Sequence, residues 1–508
     1  MTSPIPDPPA VSYWDASPIL REILTSKLSP PEFSWAEPQL REMGDLAARV
    51  VAPLAAIADR ESPRLVTHTA SGEPINRIDY HPSYREMERI AYGSGMVAMK
   101  HDPALAAAHR SSIHLLSFSI GYLFAMAEMG LYCPVCMTDG VARIVTRHGT
   151  PEQAARVVPR MGAREAAERW TGAMFVTERA GGSDVGANET IARRGSDGGW
   201  RLTGHKWFCS NVDAHAALVS ARPEGAASGT KGLRTFLLLP RDNAGVQIER
   251  LKEKLGVRSM PTGEVRLTDA PADEVGGFEA MLEMMNLSRL YNAVASVAVI
   301  GRAIHEARYY IERRRAFGRA VIGHPLALET LLDLEAEHLA AMLMTFETVV
   351  TLDRADGGDE EAARAHRALV PIVKAVTGKL AVPCVSEAME LIGGNAYIEE
   401  SPLPRLLRDA QVLPIWEGTT NIMVLDALRV ARKERGHEIL LSRIRRHFPH
   451  EAEEIAAAFH GLEERGARAW VDRLARAFEM TLLAEAGKFD AMERLRQRPL
   501  LRYATRER

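Results

Sequence analysis

Between Trp170 and about residue 275 this chain reads as strand, and on both sides of that block it reads as helix. Ala173-Met174-Phe175-Val176-Thr177 is a short, β-rich apolar run. Residues 200–204 alternate, 206–210 follow a Gly204-His205 turn, and 216–220, 233–239 and 265–268 complete the set. Gly, Asn or Asp separates these runs, the pattern of a compact antiparallel sandwich or barrel. Strand-free apolar runs over 280–314, 324–353 and 360–393 instead predict long helices with short connections, an up-and-down bundle. Segregated blocks argue α+β with separate domains and against a doubly wound sheet. The expected division is an N-terminal arm and helical domain over 1–172, a β-domain over 173–277, a four-helix-bundle domain over 278–432 and a helical extension over 433–508.

Residues 1 to about 60 read as a proline-punctuated arm followed by helix. Leu40, Met43, Leu46, Val50 and Leu54 mark one face of an amphipathic helix over 33–57, with Pro53 set to kink its last turns. Residues 60–82 read as loop, with a turn at Ser71-Gly72-Glu73-Pro74 and a helix start at His81-Pro82. Breaks at His101-Asp102-Pro103 and Cys133-Pro134 divide the helical stretches that follow.

A formal net charge of −3 over 508 residues gives the whole surface no general attraction for nucleic acid or anionic lipid. Residues 432–508 are weakly basic, with 17 Arg and Lys against 13 Asp and Glu, densest at Arg443-Ile444-Arg445-Arg446-His447. The first 14 residues have no basic n-region or apolar h-region, and the apolar run 115–127 is too short to cross a bilayer. The expectation is a cytoplasmic protein with no membrane partner. Cys133-Pro134-Val135-Cys136 has redox or zinc spacing, but no second CxxC completes a zinc site and no βαβ pattern surrounds it. Both thiols are read as buried and structural, and no metal is expected. No P-loop, zincin helix or dinucleotide fingerprint occurs in the right context.

The stretch with most chemical promise is Ile415-Trp416-Glu417-Gly418-Thr419-Thr420-Asn421-Ile422-Met423. A lone carboxylate between an indole and a glycine is open to desolvation, which raises its pKa and suits it to take a weakly acidic proton. Thr419, Thr420 and Asn421 offer hydroxyl and amide partners to a polar cofactor. Taken alone, the same residues suit a helix start with Thr and Asn as caps better than they suit catalysis. A second candidate, Thr177-Glu178-Arg179-Ala180-Gly181-Gly182-Ser183-Asp184, follows an apolar strand and forms a tight loop whose amides can converge on a phosphate or another acceptor.

Five motifs in order then resemble the flavin-dependent acyl-CoA dehydrogenase superfamily. They are the Thr177–Asp184 loop, Lys206-Trp207-Phe208-Cys209-Ser210-Asn211, Arg314-Arg315-Ala316-Phe317-Gly318, Gly393-Gly394-Asn395-Ala396-Tyr397 and Trp416-Glu417-Gly418-Thr419. Within it the chain is most similar to the AidB-type, alkylation-response branch. The likeness rests on Trp-Glu-Gly, His81-Pro82, the segment from Leu131 to Thr138, His324-Pro325 and Glu399-Glu400-Ser401.

The resemblance implies a helical, β, helical fold that binds FAD. Met174, Val176, Thr177, Gly182 and Ser183 would line the flavin, with Phe208 and Ser210 flanking its ring. Arg314, Phe317, Gly393 and Gly394 resemble residues that reach the FAD of a neighbouring subunit, implying a homotetramer. Thr419 and Asn421 would meet the pyrophosphate. Ser183, Arg289 and Trp416 would lie toward the substrate. Ser288 stands where some branches carry their base, which leaves Glu417 as the base candidate. The implied reaction is α,β-dehydrogenation of an acyl-CoA or similar thioester, with the electron acceptor unspecified. The alternative is an AidB-like, DNA-associated flavoprotein acting in the response to alkylation damage. Arg179, Phe208, Ser210, Pro325 and Ala396 depart from the usual Pro, Trp, Thr, Gln and Gly, which bears on which thioester is accepted.

Overall fold

A computed structural model of the chain describes residues 11–241 and 243–497. The proline-rich segment 1–10 and the last residues of the tail, 498–508, lie outside them. The chain divides into two compact units. One takes the chain up to Val50, His109–Ala127 and everything from Asn292 onward; the other takes Val51–Ala108 and Glu128–Tyr291.

The second of these carries the sheet. A hairpin of β1 (Arg64–His68) and β2 (Pro74–Asp79) comes first, then β3 (Gly172–Phe175), β4 (Ile191–Arg194), β5 (Trp200–Ser210), β6 (Ala216–Pro223), β7 (Arg234–Leu238), β8 (Val246–Leu251) and β9 (Thr262–Gly277). The strands from β3 onward form one seven-stranded sheet, in which the β6–β7 pairing closes β6, β4, β5, β9 and β7 into a ring. Most pairings are antiparallel as expected, but β6 runs parallel to both β3 and β4. Inward residues, among them Phe175, Leu202, Cys209, Val219, Phe236 and Val265, fill the ring with one apolar core.

Several local expectations need correction. Residues 60–82 are not loop throughout, because β1 and β2 pair across the expected turn. Both strands are largely exposed and lack the apolar alternation that marks a half-buried strand. Gly204-His205 is not a turn, since β5 is continuous through it. Gly204 is there for closeness: a Cβ on it would lie 2.4 Å from Thr190 Oγ1 on the neighbouring chain segment. Pro134 does not break a helix either. The break falls at Glu128, whose carboxylate accepts from the Leu131 amide and caps the helix Met129–His148, with Pro134 inside its second turn. Cys136 is buried as expected, whereas Cys133 is only half-buried. The Pro53 effect appears as a π-helical turn, Ala47–Val51, between the helices Pro30–Leu46 and Ala52–Arg60. His81 caps the helix that starts at Pro82 by accepting from the Ser83 amide.

The other unit is helical. It takes the helix Phe278–Arg313 from Asn292 onward, with Pro325–Asp356, Glu360–Ile392 and Thr420–Glu434. By length and composition Glu360–Ile392 could cross a bilayer, yet 83% of its apolar window is buried inside the protein. Four further helices, His437–Arg445, Pro449–Phe459, Ala467–Glu485 and Phe489–Gln497, follow. Their Leu440, Ile455, Trp470, Leu474 and Phe478 share one core with Leu369, Val373 and Val424 of the bundle.

Candidate active site

In the sheet-bearing unit the loop after β3 is built around a buried ion pair. Lys206 is 0% exposed, and its Nζ lies 2.6 Å from Glu178 Oε1 while donating to the Ser220 carbonyl at 2.7 Å. Glu178 also accepts from the Thr190 hydroxyl at 2.6 Å and the Glu189 amide at 2.6 Å. Burial pushes the Glu178 carboxyl up, but the Lys206 charge and these donors outweigh it and hold the carboxyl below its ordinary value. A charge pair this deep is tolerable only when its remaining hydrogen bonds are satisfied, as they are here.

That pair fixes the backbone from which the expected flavin residues project. The Trp207 amide donates to the Thr177 carbonyl at 2.9 Å, tying the loop to β5. A break in the β5–β9 register between Lys206 and Cys209 interrupts the alternation of side chains, so Lys206 and Cys209 are both buried while Phe208 between them is 52% exposed. Gly182 and Ser183 are exposed, Met174, Thr177 and Ser210 half-buried, and Val176 buried. A Cβ on Gly182 would meet Thr177 Oγ1 at 2.9 Å, so the glycine lets the loop fold back over that threonine. Arg179, which stands in place of proline, lies over the Trp207 ring at 4.7 Å, where Lys252 also sits at 3.5 Å.

Arg289 is buried in the same unit, and its Nη1 donates to Asn286 Oδ1 at 2.9 Å. Ser288 is buried beside it and meets Cys136 Sγ at 3.6 Å. Close in sequence stands a cluster that sequence reading missed. Asp139 takes Lys100 at 2.5 Å, His101 at 2.8 Å and the Tyr291 hydroxyl at 2.9 Å. Burial would raise the Asp139 carboxyl, but Lys100 and His101 hold it well below the carboxylate range. The only described trio spaced to hold a metal ion is His205, Glu249 and Glu264. Arg250 and Lys252 already claim Glu264, and Arg266 claims Glu249, so the local charge opposes a cation.

In the helical unit Glu417 sits in the turn between Ala410 and the helix Thr420–Glu434. Its φ is 58° and that of Gly418 is 107°, so two successive residues are left-handed. Glycine takes that region freely; glutamate does so only where its surroundings enforce it. Glu417 and Trp416 are half-buried, and the Trp416 Nε1 is a buried donor with no hydrogen-bond partner among the described residues. Three residues not anticipated from sequence hold the turn. Asn292 Nδ2 donates to the Leu413 carbonyl at 3.2 Å. Gly378 lets its helix approach, since a Cβ there would lie 2.9 Å from the Leu413 oxygen. Lys374, 0% exposed, donates to the Gly418 carbonyl.

Thr419 starts the following helix, but its side chain makes no cap, leaving the first amides and a positive dipole end available to a phosphate. Thr419 and Asn421 are exposed. So are Gly393 and Gly394, where a Cβ would meet nothing within 4 Å, and Phe317, which is 97% exposed. Arg314 is half-buried. An exposed ring, open glycine positions and an uncapped helix N-terminus offer a stacking face, room for close approach and amides for a phosphate, so these residues fit a large, flat, phosphorylated cofactor such as FAD.

Comparison with known proteins matches three successive segments of the chain. Residues 6–166 match the adaptive response protein AidB N-terminal domain, 173–270 the acyl-CoA dehydrogenase middle domain and 276–431 the acyl-CoA dehydrogenase C-terminal domain. The chain is 36% identical to acyl-CoA dehydrogenase family member 11 of Caenorhabditis elegans, over 81% of this chain and 69% of that one. It is 34% identical to the putative acyl-CoA dehydrogenase AidB of Escherichia coli K12, over 77% and 73%. The crystal structure of C. elegans ACDH-11 in complex with C11-CoA superposes with a TM-score of 0.90 at 30% identity, covering 98% of this chain and 93% of that one. The chain therefore belongs to the acyl-CoA dehydrogenase family of FAD-dependent oxidoreductases and carries the N-terminal domain of the AidB type.

Proposed function

We propose that this protein oxidises an acyl-CoA thioester at its α,β bond, with Glu417 as the base that takes the α-proton. The observation that carries the reading is the Glu417 turn. A carboxylate is held in a left-handed backbone beside an indole, where thermal wandering is restricted and water is partly excluded. FAD, when bound, supplies the acceptor for the β-hydride. The protein's own part is to hold and orient. Phe208 offers an exposed ring face, and Thr177, Ser183 and Ser210 offer hydroxyls on a loop and strand stiffened by the Glu178–Lys206 pair. Arg289 and Trp416 are assigned to the thioester, the latter with its free indole N–H. The C11-CoA complex of the C. elegans relative supports an acyl-CoA as substrate.

The same reading assigns Arg314, Phe317, Gly393 and Gly394 to the cofactor of a neighbouring copy in a homotetramer. It is supported by the exposed apolar side chains Phe317, Leu326, Tyr397 and Ile398 in this unit. The DNA-associated alternative needs clustered cations. In the tail Arg443 pairs with Glu347 and Glu485, Arg445 with Glu453, Arg473 with Glu451 and Arg476 with Glu337. Among the described residues those pairings offset much of the tail's positive charge, which favours the enzyme reading.

The test is an anaerobic titration of the yellow holoprotein with straight and branched acyl-CoAs. Bleaching of the flavin band by one of them is expected. A flavoprotein that no thioester reduces overturns the proposal.

A further inference from the structure

We infer that Lys374 is a positioning residue for the reaction, clamping the Leu413–Gly418 turn so that the Glu417 carboxylate is held in one orientation. This rests on the reading of Glu417 as base. Lys374 lies on the helix Glu360–Ile392 and is wholly buried, yet nothing about packing a helical bundle calls for an ammonium there. Burying one is costly unless it is paired and hydrogen-bonded, a penalty that a leucine or methionine would avoid. Among its contacts the ammonium makes a charge-assisted hydrogen bond to the carbonyl of Gly418, the residue that directly follows Glu417.

The helix grips the turn at two places. Lys374 and Gly378 are four residues apart and so lie on one face of it. Lys374 holds the Gly418 end, while Gly378 seats the Leu413 end, where a Cβ would press on the Leu413 oxygen at 2.9 Å and the Pro414 nitrogen at 3.3 Å. Asn292, on the helix Phe278–Arg313, takes the same Leu413 carbonyl at 3.2 Å. Glu417 stands between these anchors at φ 58°. A glutamate in that conformation is strained and persists because its flanks are over-determined. If the Gly418 anchor is released, the backbone relaxes and the carboxylate loses its aim, although every group that meets cofactor or thioester is still present.

The test uses the holoprotein and single-turnover flavin reduction by an acyl-CoA that reduces the wild type. Lys374→Met keeps the aliphatic stem and removes the donor. The expected variant is folded and yellow, with the limiting reduction rate down by about tenfold or more and the apparent Kd for acyl-CoA within about threefold of wild type. Thr377→Val, which removes a buried hydroxyl that bonds only its own helix at Val373, is the control and keeps the wild-type rate. Should Lys374→Met not fold, Gly378→Ala decides, because its methyl pushes the same turn from the other end; the same split between rate and Kd is expected. A wild-type limiting rate in whichever of the two variants folds overturns the inference, as does an equal loss in Thr377→Val. Failure of the wild type to be reduced by any acyl-CoA is read before any variant and instead overturns the assignment of Glu417 along with it.

Discussion

Lys206 on β5 and Glu178 at the head of the loop after β3 form an ion pair 2.6 Å long with almost no exposure to solvent. Removing one partner leaves the other charged, buried and unpaired. Lys206→Met should therefore destabilise the protein by about 3–5 kcal/mol. It should also lower the flavin-to-protein ratio after purification, since the loop bearing Thr177 and Ser183 loses its support. Thermal unfolding and the visible spectrum measure the two effects.

The sign of the acid response follows from histidines buried as neutral rings. His338 is held down to about 4, chiefly by burial, while its Nε2 lies 3.0 Å from the Val297 carbonyl. Its folded pKa is below its unfolded value, so its neutral form stabilises the fold above about pH 6.5, and that contribution is lost as pH falls from there through about 4. Unfolding midpoints should drop between pH 7 and pH 5, and His338→Gln should flatten that slope. An unchanged slope in the variant would remove His338 as its source.

The helices after residue 432 are part of the bundle's core and not an appendage. Trp470 is buried against Phe459 and His437, and its Nε1 donates to the Ile455 carbonyl at 3.0 Å. Trp470→Ala should cost about 3–5 kcal/mol, visible in chemical denaturation as a lower midpoint.

Phe208 makes the opposite case. Its ring is more than half exposed, so Phe208→Ala should leave stability within about 0.5 kcal/mol. The same substitution should weaken FAD retention, measured by flavin released on ultrafiltration. Full retention would remove Phe208 from the cofactor site.

The helices were legible because long apolar runs leave little choice. The runs over 280–314 and 360–393 are realised as Phe278–Arg313 and Glu360–Ile392. Residues whose role depends on a distant segment were not legible. Gly204 looks like a turn residue until Thr190 is set against it, and Pro134 looks like a breaker until Glu128 is seen capping a helix six residues earlier. Lys374 sits in an apolar run with no local signal at all, since its partner is 44 residues further along the chain. Glu417 stood out as a carboxylate between Trp416 and Gly418, but its left-handed backbone is a property of the folded turn. The Arg443 run shows the converse: densely basic in sequence, its Arg443 is spent on Glu347 and Glu485 and its Arg445 on Glu453 in the fold.

The most direct measurement is flavin reduction in Glu417→Gln, mixed anaerobically with an acyl-CoA that bleaches the wild type. The account predicts a yellow, folded variant that binds the thioester and is not reduced, because the amide cannot accept the α-proton. Reduction at the wild-type rate would contradict it and place the base on another residue.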